Sequence, residues 1–117
     1  MNFDEYQKLA ITTDTGDGIM HGLTHPLFLE KAFGLVGEAG EFAEKLKKLL
    51  RDDKAKNLQI DEEARQEMLK ELGDVLWYIS ALAKYLDKPL SELAADNLEK
   101  VLSRKTRGIT LGSGDNR

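Results

Sequence analysis

"GLVGEAGEFAEKLKK", residues 34–48, joins two amphipathic stretches that read as helix, yet its first half carries Gly34, Gly37 and Gly40. Each Gly inside a helix costs about 0.5–1 kcal/mol relative to Ala. Glu38 and Glu41 stand among those glycines three positions apart, so one side of the helix also bears two like charges. A second stretch, "KELGDVLWYISALA" at residues 70–83, gives this pattern a meaning. Shifted by 33 positions, Glu71-Leu72-Gly73-Asp74-Val75 lies over Glu38-Ala39-Gly40-Glu41-Phe42. In both stretches the apolar stripe centres roughly 80–90° from the first carboxylate, and the second falls roughly 60° further to the same side. Two helices packed through these stripes bring Glu38, Glu41, Glu71 and Asp74 to one edge of their seam.

The pattern outside these stretches is helical throughout. Phe3, Tyr6, Leu9 and Ala10 share one side of a short first helix over Phe3–Ile11, with Asn2 as its cap. "TTDTGDGIMHGLTHP" is a Gly-, Thr- and Asp-rich loop closed by Pro26. The second helix runs from about Leu27 to Arg51, and "DDKAKNLQ" is a polar connector. Asp61, Glu62 and Glu63 suit the N-terminal dipole of a third helix that continues to Leu86. Ser91 reads as the cap of a fourth helix over Glu92–Thr106. No segment alternates with period two, so the expectation is an all-α bundle of about four helices. Residues 1–107 form one domain in this reading, and 108–117 a flexible C-terminal tail.

Composition narrows the function classes. A chain of 117 residues with 41% hydrophobic and 32% charged residues suits one soluble helical domain. The absence of cysteine removes disulfides, zinc ribbons and thiol catalysis. A net charge of −4 and no basic block argue against nucleic-acid or membrane-surface partners. No apolar run approaches the ~20 residues that span a bilayer, and the acidic start lacks a signal-peptide core, so the cytoplasm is the expected compartment.

Four clustered carboxylates need compensation, since two like charges about 4 Å apart repel by roughly 4 kcal/mol at an effective dielectric of ~20. With neither thiolate nor imidazole in either stretch, the ligand set is hard oxygen, which selects Mg²⁺, Mn²⁺ or Ca²⁺. Mg²⁺ is the expected ion, with Mn²⁺ as a substitute. The glycines leave room for a helix or ligand beside the acids. On the fourth helix Asn97, Lys100 and Arg104 fall within roughly 60° of arc and suit phosphate oxygens. Lys45, one turn beyond Glu41, either serves the phosphates or pairs with that glutamate. His21 and His25 are four apart but sit in a loop, and read as incidental.

"EYQKLA", "GLVGEAGEFAEKLKK", "KELGDVLWYISALA" and "NLEKVLSR" together resemble the MazG-like nucleoside triphosphate pyrophosphohydrolases over about Phe3–Arg104. The resemblance implies an all-α enzyme in which water attacks the α-phosphorus of a nucleoside triphosphate with Mg²⁺, giving the monophosphate and pyrophosphate. It implies that Glu38, Glu41, Glu71 and Asp74 hold metal, and that Asn97, Lys100 and Arg104 contact the triphosphate. Glu41 is the expected general base, with Glu38 beside it as a catalytic carboxylate. The tail "RKTRGITLGSGDNR" departs from the "RYPEGF"-like segment of many relatives. The competing reading is a non-catalytic helical interaction module. A ferritin-like di-iron centre fails because neither motif carries the histidine it requires. Opposite the main stripe of the third helix lie Gly73, Trp77, Ser80 and Ala81, a face that reads as the core of a homo-oligomer, dimer or tetramer.

Overall fold

The computed structural model describes residues 1–52 and 59–114. Those residues hold α1 (Phe3–Ala10), a 3₁₀ turn (Ile11–Thr13), α2 (Pro26–Arg51), α3 (Glu62–Tyr85) and α4 (Leu90–Thr106), and no strand. The sequence-predicted connector falls mostly on residues 53–58, outside the described residues. The expected bundle of about four helices is therefore all-α as read.

Helix starts follow the local chemistry. Asn2 and Glu5 form a reciprocal capping box, with Asn2 accepting from the Glu5 N–H and Glu5 accepting from the Asn2 N–H, both at 2.9 Å. Asp61 accepts from the Ala64 N–H at 2.8 Å. Pro26 closes the loop as the first residue of α2, where its missing N–H costs nothing. His25 precedes it as cap, its Nδ1 accepting from the Leu27 N–H.

Ser91 is not the cap of α4. Pro89 stands at the cap position and offers no side-chain hydrogen bond. The free N–H groups of this helix are met instead from α1: Gln7 Oε1 accepts from Leu90 N at 3.2 Å, and Asp4 accepts from Ser91 N at 2.9 Å. Asp4 also takes the Ser91 hydroxyl at 2.6 Å. The amide nitrogen of buried Gln7 donates to the Ser80 and Lys88 carbonyls, so one side chain of α1 ties α3 to α4.

The long helices α2 and α3 form an antiparallel hairpin, with Lys45 opposite Glu67 and Glu71, Gly34 under the Tyr78 ring and Phe28 beside Tyr85. The α1 helix packs on α3 and α4, and α4 touches α1 and α3 but not α2. The fully buried apolar residues, Ala81, Ala83, Tyr85 and Leu90, gather at the C-terminal end of α3.

Trp77 is met within its own chain. Its indole N–H donates to Thr13 Oγ1 at 2.9 Å and to the Ala10 carbonyl at 3.3 Å, so α1 and the 3₁₀ turn meet the indole edge, while Trp77 stays half-buried and Gly73 on the same face stays exposed. A connection of α1 to the bundle through polar caps, rather than through a long apolar stripe, makes this contact hard to read in advance. Other apolar surface stays open: Phe33 and Val36 on α2, Leu69 and Leu72 on α3, and Leu98, Val101 and Leu102 on α4 are all exposed. The accessible surface is 8481 Å² for 13.1 kDa, about 2,000 Å² above that of a compact monomer of this mass.

Candidate functional site

The antiparallel crossing of α2 and α3 sets the two acidic motifs against each other near the middle of the hairpin. Glu38, Glu71 and Asp74 each place a carboxylate oxygen within 4.8 Å of the others. Glu38 and Glu71 are half-buried and Asp74 is exposed. Glu41, exposed one turn further along α2, lies outside that group of three. Burial pushes the Glu38 carboxyl above the usual range, and the charges of Asp74, Glu71 and Glu41 push in the same direction. Three hard oxygen donors so arranged could hold a metal ion.

Lys45 does not pair with Glu41. It crosses the hairpin to Glu71 at 3.1 Å and Glu67 at 3.3 Å. Hydrogen bonding to Glu71, then Glu67, holds its ammonium above the ordinary lysine value. The three remaining glycines of the motifs border open space: a Cβ at Gly37, Gly40 or Gly73 would meet nothing within 4 Å. Gly34 is different, since a Cβ there would stand 2.1 Å from Cε1 of Tyr78. The missing side chain lets the Tyr78 ring lie against α2.

Glu38, Asp74, Trp77 and Tyr78 line one cleft of about 370 Å³. Asn97 and Lys100 line another, of about 490 Å³, with Phe3, Leu76, Ile79 and Leu93. Tyr6 borders a neighbouring hollow with Phe3 and Leu76. Its hydroxyl is raised by burial and then by the charge of Asp74, which puts α1 close to the acids. Arg104 is buried and donates to the Gly114 carbonyl at 3.3 Å, so the tail folds back over the end of α4. Within one chain the acids and the basic edge of α4 therefore face different clefts. The reason is the docking of α4, which is held at its N-terminal end by Asp4 and Gln7.

The sequence reading missed one cluster beside the site. Lys31 lies 2.7 Å from Asp14, with side chains 2% and 1% exposed. Asp14 also accepts from the Tyr85 hydroxyl and the Gly16 N–H, both at 3.1 Å. The signal was a lysine at the α3-facing row of "LFLEKAF", three residues after Phe28. His21 pairs with Asp17 at 2.5 Å, and its ring lies 4.7 Å from that of His25.

Residues 29–108 match the MazG nucleotide pyrophosphohydrolase domain. The chain belongs to that family. Its matched span contains both acidic motifs and the basic edge of α4. The chain is also similar to the Gene 37 protein of Mycobacterium phage L5, 55% identical over 122 aligned residues covering the whole of both chains. No solved structure matches. MazG membership supports a hydrolase acting on nucleotides, a family generally dependent on metal, and the acid group of α2 and α3 is the feature that fits. Among the described residues no helix is long and apolar enough to cross a membrane.

Proposed function

We propose that this protein hydrolyses nucleoside triphosphates, ribo or deoxy, to the monophosphate and pyrophosphate with Mg²⁺, and that it clears the cytoplasmic nucleotide pool of unwanted forms. The observation that carries the reading is the convergence of Glu38, Glu71 and Asp74 from two in-phase motifs within 4.8 Å. Their donor chemistry fits Mg²⁺, or Mn²⁺ in its place, and burial first, then the neighbouring carboxylates, push Glu38 upward, which a bound cation would relieve. When bound, the cation supplies neutralisation of phosphate charge and a more acidic water.

The chain's own residues do the rest. Glu38, Glu71 and Asp74 hold the ion. Glu41, outside that group and exposed, takes the proton of the attacking water, which adds to the α-phosphorus as the bond to the bridging oxygen breaks and pyrophosphate leaves. Lys45, already at the edge of the acid group, meets the phosphate oxygens when a triphosphate arrives. Asn97, Lys100 and Arg104 contribute the amide and cations of the second edge.

That second edge is supported best in a homo-oligomer. The open apolar residues of α4, Leu98, Val101 and Leu102, are surface that such an interface would bury. A dimer or tetramer closes this surface and lays one chain's basic edge near another's acids. Domain limits of 1–107 with a tail from 108 belong to the same reading.

The test is a screen of the eight common NTPs and dNTPs with Mg²⁺, reading pyrophosphate. Activity lost in excess EDTA and in Glu38→Gln, with helical circular dichroism intact, is the expected result. Full turnover in either overturns it. Light scattering at micromolar concentration reads the assembly, and a monomer mass with full activity removes the oligomer.

A further inference from the structure

The acid cleft has an aromatic wall, and the elements that hold this wall come from far away in the chain. Trp77 lines the cleft with Glu38, Asp74 and Tyr78. The polar edge of its indole is turned to the end of α1 and the 3₁₀ turn, donating to Thr13 Oγ1 and the Ala10 carbonyl. The Tyr78 ring packs edge-on at 4.9 Å, and the Lys31 ammonium lies 5.8 Å from the Trp77 ring centroid. That ammonium is itself fixed, by Asp14 at 2.7 Å and Glu30 at 3.1 Å. Asp14 is in turn held by Tyr85 and by the Gly16 backbone. A Cβ at position 16 would stand 2.1 Å from the Tyr85 hydroxyl, so the loop accepts only glycine while this network is formed.

A buried ion pair is a poor device for stability alone. Well-packed apolar residues of similar volume generally serve a fold as well or better. Such a pair is better suited to fixing one arrangement among several, and here the arrangement fixed is the orientation of an indole against the acid cleft. A triphosphate whose phosphates sit at the acids extends its nucleoside along that wall, where an aromatic ring offers a flat apolar surface.

We propose that Trp77 contacts the nucleoside part of the substrate and sets its affinity, and that the buried Asp14–Lys31–Tyr85 network is the positioning unit that holds the indole in place. The proposal rests on the nucleotide reading above and adds to it a substrate contact and residues acting through that contact.

The chain has one tryptophan, so its optical signals report this ring alone. In the full-length protein the double variant Asp14→Leu/Lys31→Met removes both charges together and keeps volume. The expected result is unchanged far-UV circular dichroism, a loss of at least half the near-UV tryptophan signal, and at least twofold stronger acrylamide quenching. For the best triphosphate of the screen with Mg²⁺, KM rises about tenfold while kcat stays within threefold. Lys31→Arg, which keeps a cation at the pair, retains the wild-type quenching and KM. Wild-type quenching and KM in the double variant overturn the proposal. The optical readout needs no substrate, so a wild-type protein that hydrolyses none of the triphosphates overturns the nucleotide reading and the substrate contact, while quenching still judges the positioning unit by itself. If the double variant loses its helical signal, Trp77→Phe decides: a raised KM at constant fold supports the contact, and an unchanged KM overturns it.

Discussion

Lys45 on α2 and Glu71 on α3 form an ion pair of 3.1 Å across the hairpin. Glu71 also belongs to the three-acid group with Glu38 and Asp74. The acid group therefore carries its own counter-cation at Glu71, while burial and then the charges of Asp74, Glu71 and Glu41 hold Glu38 above its ordinary value.

Removing that cation separates two roles for Lys45. A positive charge beside the group weakens binding of a divalent ion by about 1 kcal/mol in a partly screened setting. Lys45→Met is expected to tighten Mn²⁺ binding about fivefold in calorimetric titration without nucleotide, and to raise KM for the triphosphate. Weaker Mn²⁺ binding would assign Lys45 to orienting Glu71 instead.

Glu38 gives a pH-dependent expectation of definite sign. Its carboxyl lies above the ordinary 4.5, so ionising it works against the fold. This penalty is absent below pH 4.5 and complete above the raised value. Glu38→Gln is therefore expected to melt a few degrees higher than wild type in EDTA at about pH 7, and at the same temperature at about pH 4. Mg²⁺ should stabilise the wild type at neutral pH and leave the variant nearly unchanged. A variant that melts lower at neutral pH would show that Glu38 is held by contacts rather than strained by charge.

The glycines of α2 and α3 divide into two kinds. Gly34→Ala drives a methyl into the Tyr78 ring and is expected to cost about 1–3 kcal/mol in urea unfolding. Gly40→Ala and Gly73→Ala meet open space in one chain and should gain about 0.5–1 kcal/mol of helix stability. Loss of activity or of assembly in these more stable variants would show that the space belongs to a ligand or a second copy. Full activity and native mass would leave the glycines unexplained.

The sequence carried what periodicity and caps can carry. Asn2 caps α1 as its sequence implies, because a side-chain oxygen satisfying its own helix is a local event; Asp61, read only as an acidic residue suited to the helix dipole, is the cap of α3. The approach of Glu38, Glu71 and Asp74 is legible because two motifs in phase meet when their stripes pack, whereas Glu41, expected with them, lies outside that group of three. What escaped depends on contacts distant in sequence. Ser91 had the composition of a cap, but Asp4 reaches the α4 N–H groups from 87 positions away. Trp77 has the neighbours of an interface, and the Thr13 hydroxyl that meets its indole N–H comes from 64 positions away. Lys31 was hidden for the same reason, since its partner Asp14 lies in a loop without periodicity.

The Asp14–Lys31 pair sets a window of pH. Burial works to raise Asp14, yet hydrogen bonds from Lys31, Gly16 and Tyr85 prevail and hold it below the ordinary 3.8. Burial works to lower Lys31, yet Asp14 and Glu30 hold it above the ordinary 10.5. Asp14 therefore contributes stability that is present above 3.8 and is lost as pH falls through its lower folded value. Lys31 contributes stability that is complete below 10.5 and is lost as pH rises through its higher folded value. Between those limits Lys31→Met or Asp14→Asn alone is expected to cost about 3–5 kcal/mol, because each strands a buried partner. Asp14→Leu/Lys31→Met together should cost far less than the sum. In Lys31→Met the sign at Asp14 reverses: without its cation, burial raises the carboxyl, and the variant recovers part of its deficit as pH falls and Asp14 takes up a proton. Urea unfolding of the four proteins across about pH 3–11 reads all of this. Single-variant costs that add in the double variant, or a Lys31→Met deficit that does not shrink in acid, would show that the two side chains are not coupled.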